Sequence, residues 1–135
     1  MNKAAAALLS CALILPFAAG VQAEPQFEKP DDAIAYRQSA LKLLGAHFGG
    51  LAPVMRGRAP YDAARIQSEV AIIQTLAALP WKGFGEGTQG GNALPAVWQD
   101  SAKFREAAKT MQGNVAKLVE ASRSGDFDTV RAAYG

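Results

Sequence analysis

Apolar residues recur in this chain at alternating steps of three and four, in three separate stretches, and that spacing leaves little room for anything but packed helices. In the first stretch Leu41, Leu44, Phe48, Leu51 and Met55 step 3, 4, 3, 4. In the second Ile66, Val70, Ile73 and Ala77 step 4, 3, 4, and Ile72, Leu76 and Leu79 widen the stripe as suits a helix inside a bundle. In the third Phe104, Ala108, Met111, Val115, Leu118 and Ser122 step 4, 3, 4, 3, 4. Phe127, Val130 and Tyr134 continue the habit in a fourth, shorter segment. No stretch alternates with period two for long enough to argue a strand, so the sequence predicts an all-α fold.

The punctuation agrees. Pro30 suits the first position of a helix, with Asp31 and Asp32 where the dipole favours negative charge. Gly49, Gly50 and Pro53 weaken that helix, and Arg56-Gly57-Arg58 closes it. Pro60 opens the second helix, with Asp62 in its first turn, and Pro80 stops it. The third starts near Asp100-Ser101 and ends at Gly125, after which Asp126 is the expected N-cap of the fourth.

Two features interrupt this regularity. Tyr36-Arg37-Gln38-Ser39 breaks the first seam about one turn before Leu41. A guanidinium and an amide there could hold a ligand with an apolar body and an anionic edge, or could simply form a solvated flank. Residues 80–101 are the one long non-periodic segment, with five glycines between Gly83 and Gly91, both tryptophans (Trp81 and Trp98) and Phe84. Such aromatics either close the bundle core or wall a pocket over which glycine lets the loop fold closely. Pro95 to Trp98 suits a short helical turn.

The amino terminus reads as a secretory signal: Lys3, an apolar run from Ala4 to Ala19, and Val21-Gln22-Ala23 as a cleavage site before Glu24. Residues 1–23 are thus a signal peptide and 24–135 one helical domain of 112 residues, exported to the periplasm in a bacterium and free of the membrane once cleaved. The single cysteine, Cys11, leaves with the signal, which excludes disulfides, thiolate ligands and a cysteine nucleophile from the mature chain. Without Lys3 there are 13 basic and 12 acidic residues and no basic run, so nucleic acid is not a partner.

Little else carries chemistry. His47 is the only histidine and has no His-x-x-x-His or Glu-x-x-His companion, so no metal site is read. The acids at helix starts are accounted for by dipole complementation, and no Ser/His/Asp order suggests a triad. The chain is not expected to be an enzyme.

Four stretches, QFEKPDDAIAYRQSALKLLGAHFG, RAPYDAARI, ALPWKGFGEGTQGGNALPAVWQD and SGDFDTVRAAYG, run in order from Gln26 to Gly135. Together they resemble cytochrome c prime, the periplasmic haem-binding bundle of proteobacteria. The resemblance implies a left-handed up-down-up-down four-helix bundle, a homodimer built on helices 1 and 2, haem c as cofactor, and electron transfer or nitric oxide binding with an unidentified redox partner. Leu41 matches the bulky residue covering the distal haem face. Arg37 and Gln38 match residues near the haem propionates, Trp81 and Phe84 match aromatics packed around the haem, and Asn92 aligns with a position near its edge.

One departure matters. In this family the fourth helix continues to a Cys-x-x-Cys-His motif, whose cysteines form the thioethers and whose histidine is the proximal iron ligand. That motif is not in this sequence. The expectation is therefore a bundle with its fourth helix truncated, apolar seams left uncovered, no metal ligand of its own and no covalent haem attachment. The competing expectation is a haem-free helical interaction module of the periplasm.

Overall fold

The structure, a computed structural model, describes residues 27–135. The signal segment, Cys11 and the cleavage site after Ala23 lie outside the described residues.

All regular structure among the described residues is helical. Helix α1 (Pro30–Gly50) begins with Pro30 in its first turn beside Asp31 and Asp32. Regular helix is interrupted at Leu51, and one more turn follows as α2 (Ala52–Met55), so the glycine pair and Pro53 split the expected single helix. Helix α3 (Ala63–Ala77) starts later than Pro60 suggests. Its N-cap is Asp62, whose carboxylate accepts from the Arg65 amide at 3.1 Å, which leaves Pro60 in the approach. The helix ends at Ala77, and Pro80 opens a 3₁₀ turn (Pro80–Phe84) rather than ending a helix. After the glycine-rich loop come a single turn α4 (Ala96–Gln99), then α5 (Ser101–Arg123) and α6 (Phe127–Tyr134). Asp100 caps α5 through the Lys103 amide at 3.2 Å, and Asp126 caps α6 through the Thr129 amide at 2.8 Å.

Helix α1 packs on α3, α3 on α5, and α5 on α6. The sealed core lies on α3 and the facing seams: Ile66, Val70, Ile73 and Ala77 meet Val115 and Leu118 of α5, with Val130 of α6 and Leu51 and Met55 at one end. Ile66, Val70, Ile73, Leu76 and Ala77 of α3 are buried, as are Ala108, Val115, Leu118 and Ser122 of α5, while Ile72 on the widened edge of the α3 stripe stays exposed. Burial of each large side chain contributes about 1.5–3 kcal/mol, which is why apolar periodicity alone locates these elements. Across α1 and α3, His47 Nδ1 lies 2.9 Å from Glu69 Oε2. Gln67 Nε2 donates to the Ser122 carbonyl at 2.9 Å and ties α3 to the end of α5. No helix among the described residues is long and apolar enough to cross a membrane.

Candidate functional site

Between α1, α5 and α6 the seams do not meet. They enclose a cavity of about 860 Å³, walled by Leu41, Leu44, Phe48, Trp81, Met111 and Leu118, with Asn114 and Lys117 as its polar margin. That volume lies within the range of small-molecule and cofactor sites, and the wall is apolar and aromatic. Such a site suits a flat apolar ligand with polar groups at one edge. At one end Tyr134 of α6 stacks on Phe48 of α1, ring centroids 4.5 Å apart and planes inclined by 15°, and its hydroxyl donates to the Phe48 carbonyl at 3.1 Å.

Trp81 enters the wall from the 3₁₀ turn. Its indole N–H donates to the Ala77 carbonyl at 2.6 Å, which fixes the ring at the end of α3. Behind it stand Phe84 and Phe104, with centroids 6.3 and 5.9 Å from Trp81 and 4.8 Å from each other. Trp98 completes the cluster 6.2 Å from Phe84, its indole N–H donating to the Gly85 carbonyl at 3.0 Å. Aromatic pairs at these separations and tilts are attractive beyond their buried area. A second groove of about 400 Å³ opens on the far side of this cluster, where Phe84 and Phe104 meet Lys82, Arg105 and Lys109.

Arg37 is the largest fully buried side chain described, 2% exposed. Its Nη1 donates to the carbonyls of Gly83 at 2.7 Å and Thr88 at 2.6 Å, and its Nη2 to that of Gly90 at 2.7 Å. The guanidinium carbon lies 4.7 Å from the Phe84 ring centroid and 5.2 Å from that of Trp98. Burial lowers its pKa from the ordinary value, yet arginine remains protonated in proteins, so a cation sits here. No ion pair to it exists among the described residues. Carbonyl dipoles and π faces offset its desolvation instead. Gly83 makes the approach possible, because a Cβ there would meet the Ala33 carbonyl oxygen at 2.7 Å and Arg37 Cβ at 2.8 Å. Gly91 differs: its φ of +59° is what disfavours a side chain there, beside the movable Gln38 amide and Ile34.

The residues singled out by sequence thus fall into three places. Leu41 and Trp81 line the cavity. Phe84 stands behind Trp81, and Arg37 lies under the loop, its guanidinium occupied by loop carbonyls. Gln38 and Asn92 are exposed, Gln38 with its amide against Gly91 and Asn92 on the loop outside the cavity lining. Periodicity marks Phe48, Met111, Leu118 and Tyr134 as seam positions, and the structure adds all four to the cavity lining. A seam facing no partner was the available signal. His47 is turned to Glu69 and lines a separate cleft between α1 and α3, not this cavity. Among the described residues no three His, Cys, Asp or Glu side chains gather into a metal-binding group.

The geometry has counterparts in known proteins. The family described as Cytochrome C' matches residues 32–135. Cytochrome c' of Alcaligenes xylosoxydans xylosoxydans is 52% identical over 110 residues, covering 82% of this chain and 87% of that protein. Cytochrome c' of Rubrivivax gelatinosus is 46% identical over 113 residues, covering 82% and 88%. Among solved structures, the nitrosyl complex of an aspartate variant of cytochrome c prime from Alcaligenes xylosoxidans superposes with a TM-score of 0.80 at 51% identity, covering 82% of this chain and 88% of that one.

Proposed function

The chain belongs to the cytochrome c' family, a family of haem c proteins, and from that premise we propose that its cavity is the apolar half of a haem pocket serving electron transfer or nitric oxide binding, without enzymatic turnover. The observation that carries the reading is the apolar cavity itself, walled by Leu41 and Trp81 at the site where three helix seams fail to meet. The nitric oxide complex of the solved relative supports the gas-binding side of the proposal.

Haem, when bound, supplies an iron centre that takes an electron or a diatomic ligand. The residues of this chain supply the surroundings. Leu41, Phe48, Met111 and Leu118 keep water from the macrocycle and offer a small ligand no donor. Trp81, fixed by its bond to the Ala77 carbonyl, would give a bound haem an aromatic wall. Gln38 and Asn92 are exposed amides suited to the carboxylate edge, and Arg37 adds to that edge only through Nε and the second N–H of Nη2, since its other donors are engaged. The wall therefore fits haem, while the ligation does not come from these residues. Positions 24–135 contain no cysteine, and His47 faces Glu69. These residues would hold a haem by burial of its apolar body and by polar contacts at its carboxylate edge.

Leu43 on α1 and Ile72 on α3, 51% and 41% exposed, favour a second copy packed over these helices. The leader favours export to the periplasm with cleavage after Ala23. A second reading is a haem-free helical interaction module of the periplasm. Haemin titration of the mature chain separates the two. A saturable Soret shift, with the haem fully extracted by acid acetone, is expected. Haem retained through extraction overturns the account of ligation, and no saturable uptake leaves the interaction module.

A further inference from the structure

We infer that Arg37 is a positioning residue, a latch that holds the glycine-rich loop, and through it Trp81, in place. That this affects haem rests on the cavity being a haem pocket; the latch itself does not. The bonds of Arg37 go to backbone oxygens at Gly83, Thr88 and Gly90, three points spread along the loop. A planar fork reaches divergent acceptors together, whereas an ammonium is a point charge on a flexible stem. Thr88 reinforces the closure, its hydroxyl donating to the Gly85 carbonyl at 2.7 Å. The latch engages Gly83, which shares one 3₁₀ turn with Trp81 and sits against α1 with no space for a side chain. The guanidinium also lies over Phe84 and Trp98, so the aromatic cluster behind Trp81 is anchored to the same point.

A carboxylate partner for a haem propionate and a latch make opposite demands on lysine. The partner role needs the charge, and lysine keeps it. The latch needs the fork, and lysine loses it.

The test uses the ligand-free mature chain and two variants, Arg37→Gln and Arg37→Lys, followed by amide hydrogen exchange and then haemin titration. Both variants are expected to speed exchange across residues 83–94 by about tenfold or more, the loss of charge-assisted bonds. Amides of Ile66–Ala77 should keep their protection. Haemin affinity should fall about tenfold in both variants, by loss of the ordered wall. Unchanged loop exchange in both variants, or a lysine variant that keeps wild-type loop protection and affinity, overturns the latch. A loosened loop with unchanged haemin affinity overturns its positioning role. If wild type takes up no haemin, the proposed function fails, while the exchange measurement still decides the latch. Should Arg37→Gln not fold, Trp98→Leu removes one π face and leaves the bonds, and a smaller rise in loop exchange is expected; no rise counts against the anchored cluster.

Discussion

From Leu44 onward the first helix packs as its apolar spacing dictates, Leu44 and Phe48 half-buried and, past the break, Leu51 and Met55 sealed in the core. Before Leu44 the same helix buries Ala33, Arg37 and Ala40 against the loop, while Leu41, on the seam, stays 40% exposed at the cavity. One half is held by apolar burial, which is non-directional and tolerant of exchange among similar volumes. The other is held by directed bonds from one cation and by close approach of backbone, which tolerates almost no exchange. The contrast separates what keeps this protein folded from what keeps its site shaped.

The comparison can be broken at several points. Met55→Ala, in the sealed half, should lower global stability most, by about 2–5 kcal/mol in urea denaturation, with a single cooperative transition. Gly83→Ala, in the latched half, should cost about 1–3 kcal/mol through forced displacement of the loop, and near-ultraviolet circular dichroism of Trp81 and Trp98 should change with it. If the two substitutions gave the same global loss and no loop signature, the division between the halves would fail. Asp62→Ala removes the cap of α3 and should cost about 1 kcal/mol with no change at the loop or cavity. Tyr61→Phe is the smallest and opposite in sign. The Tyr61 hydroxyl is buried without a hydrogen-bond partner, so its removal should be neutral or stabilising by up to about 1 kcal/mol.

The pH response separates two groups near the start of α6. Hydrogen bonds from the Thr129 side chain and then its backbone hold the Asp126 carboxyl below its ordinary value of 3.8. Its contribution is therefore complete above that value and is lost as pH falls through the lowered folded pKa. Thr129→Ala should flatten this acid limb in a melting-temperature profile. Tyr61 behaves in the reverse sense. Burial first, then the Asp126 charge, raises its pKa above 10.0. Its contribution is complete below that value and is lost as pH rises through the folded pKa, so Tyr61→Phe should remove that alkaline loss.

Much of the bundle was legible because Ile66, Val70, Ile73 and Ala77 of α3 and Val115 and Leu118 of α5 each have one face to satisfy and an apolar partner to satisfy it. The same spacing runs through Met111 and Tyr134, which line the cavity, and through Phe104, which joins the aromatic cluster behind Trp81. The latch was not legible. Its acceptors are main-chain oxygens of Gly83, Thr88 and Gly90, and a carbonyl has no residue identity to read. An arginine on an otherwise apolar helix looks like a solvated flank until the loop that covers it is in place. His47 and Glu69 met for a related reason, since their pairing depends on how α1 and α3 are set side by side rather than on a spacing within either.

The contact between Tyr134 and Phe48 joins residues 86 positions apart. In an unfolded chain, bringing such distant points together costs about 4 kcal/mol of loop-closure entropy, whereas a stacked aromatic pair returns about 0.5–1.5 kcal/mol beyond its buried area. The ring pair therefore cannot nucleate folding. It forms only after α3 and α5 have shortened the effective distance between α1 and α6. Assembly consequently runs outward from the middle of the sequence, and the wall that Tyr134 and Phe48 build for the cavity is among the last surfaces to exist.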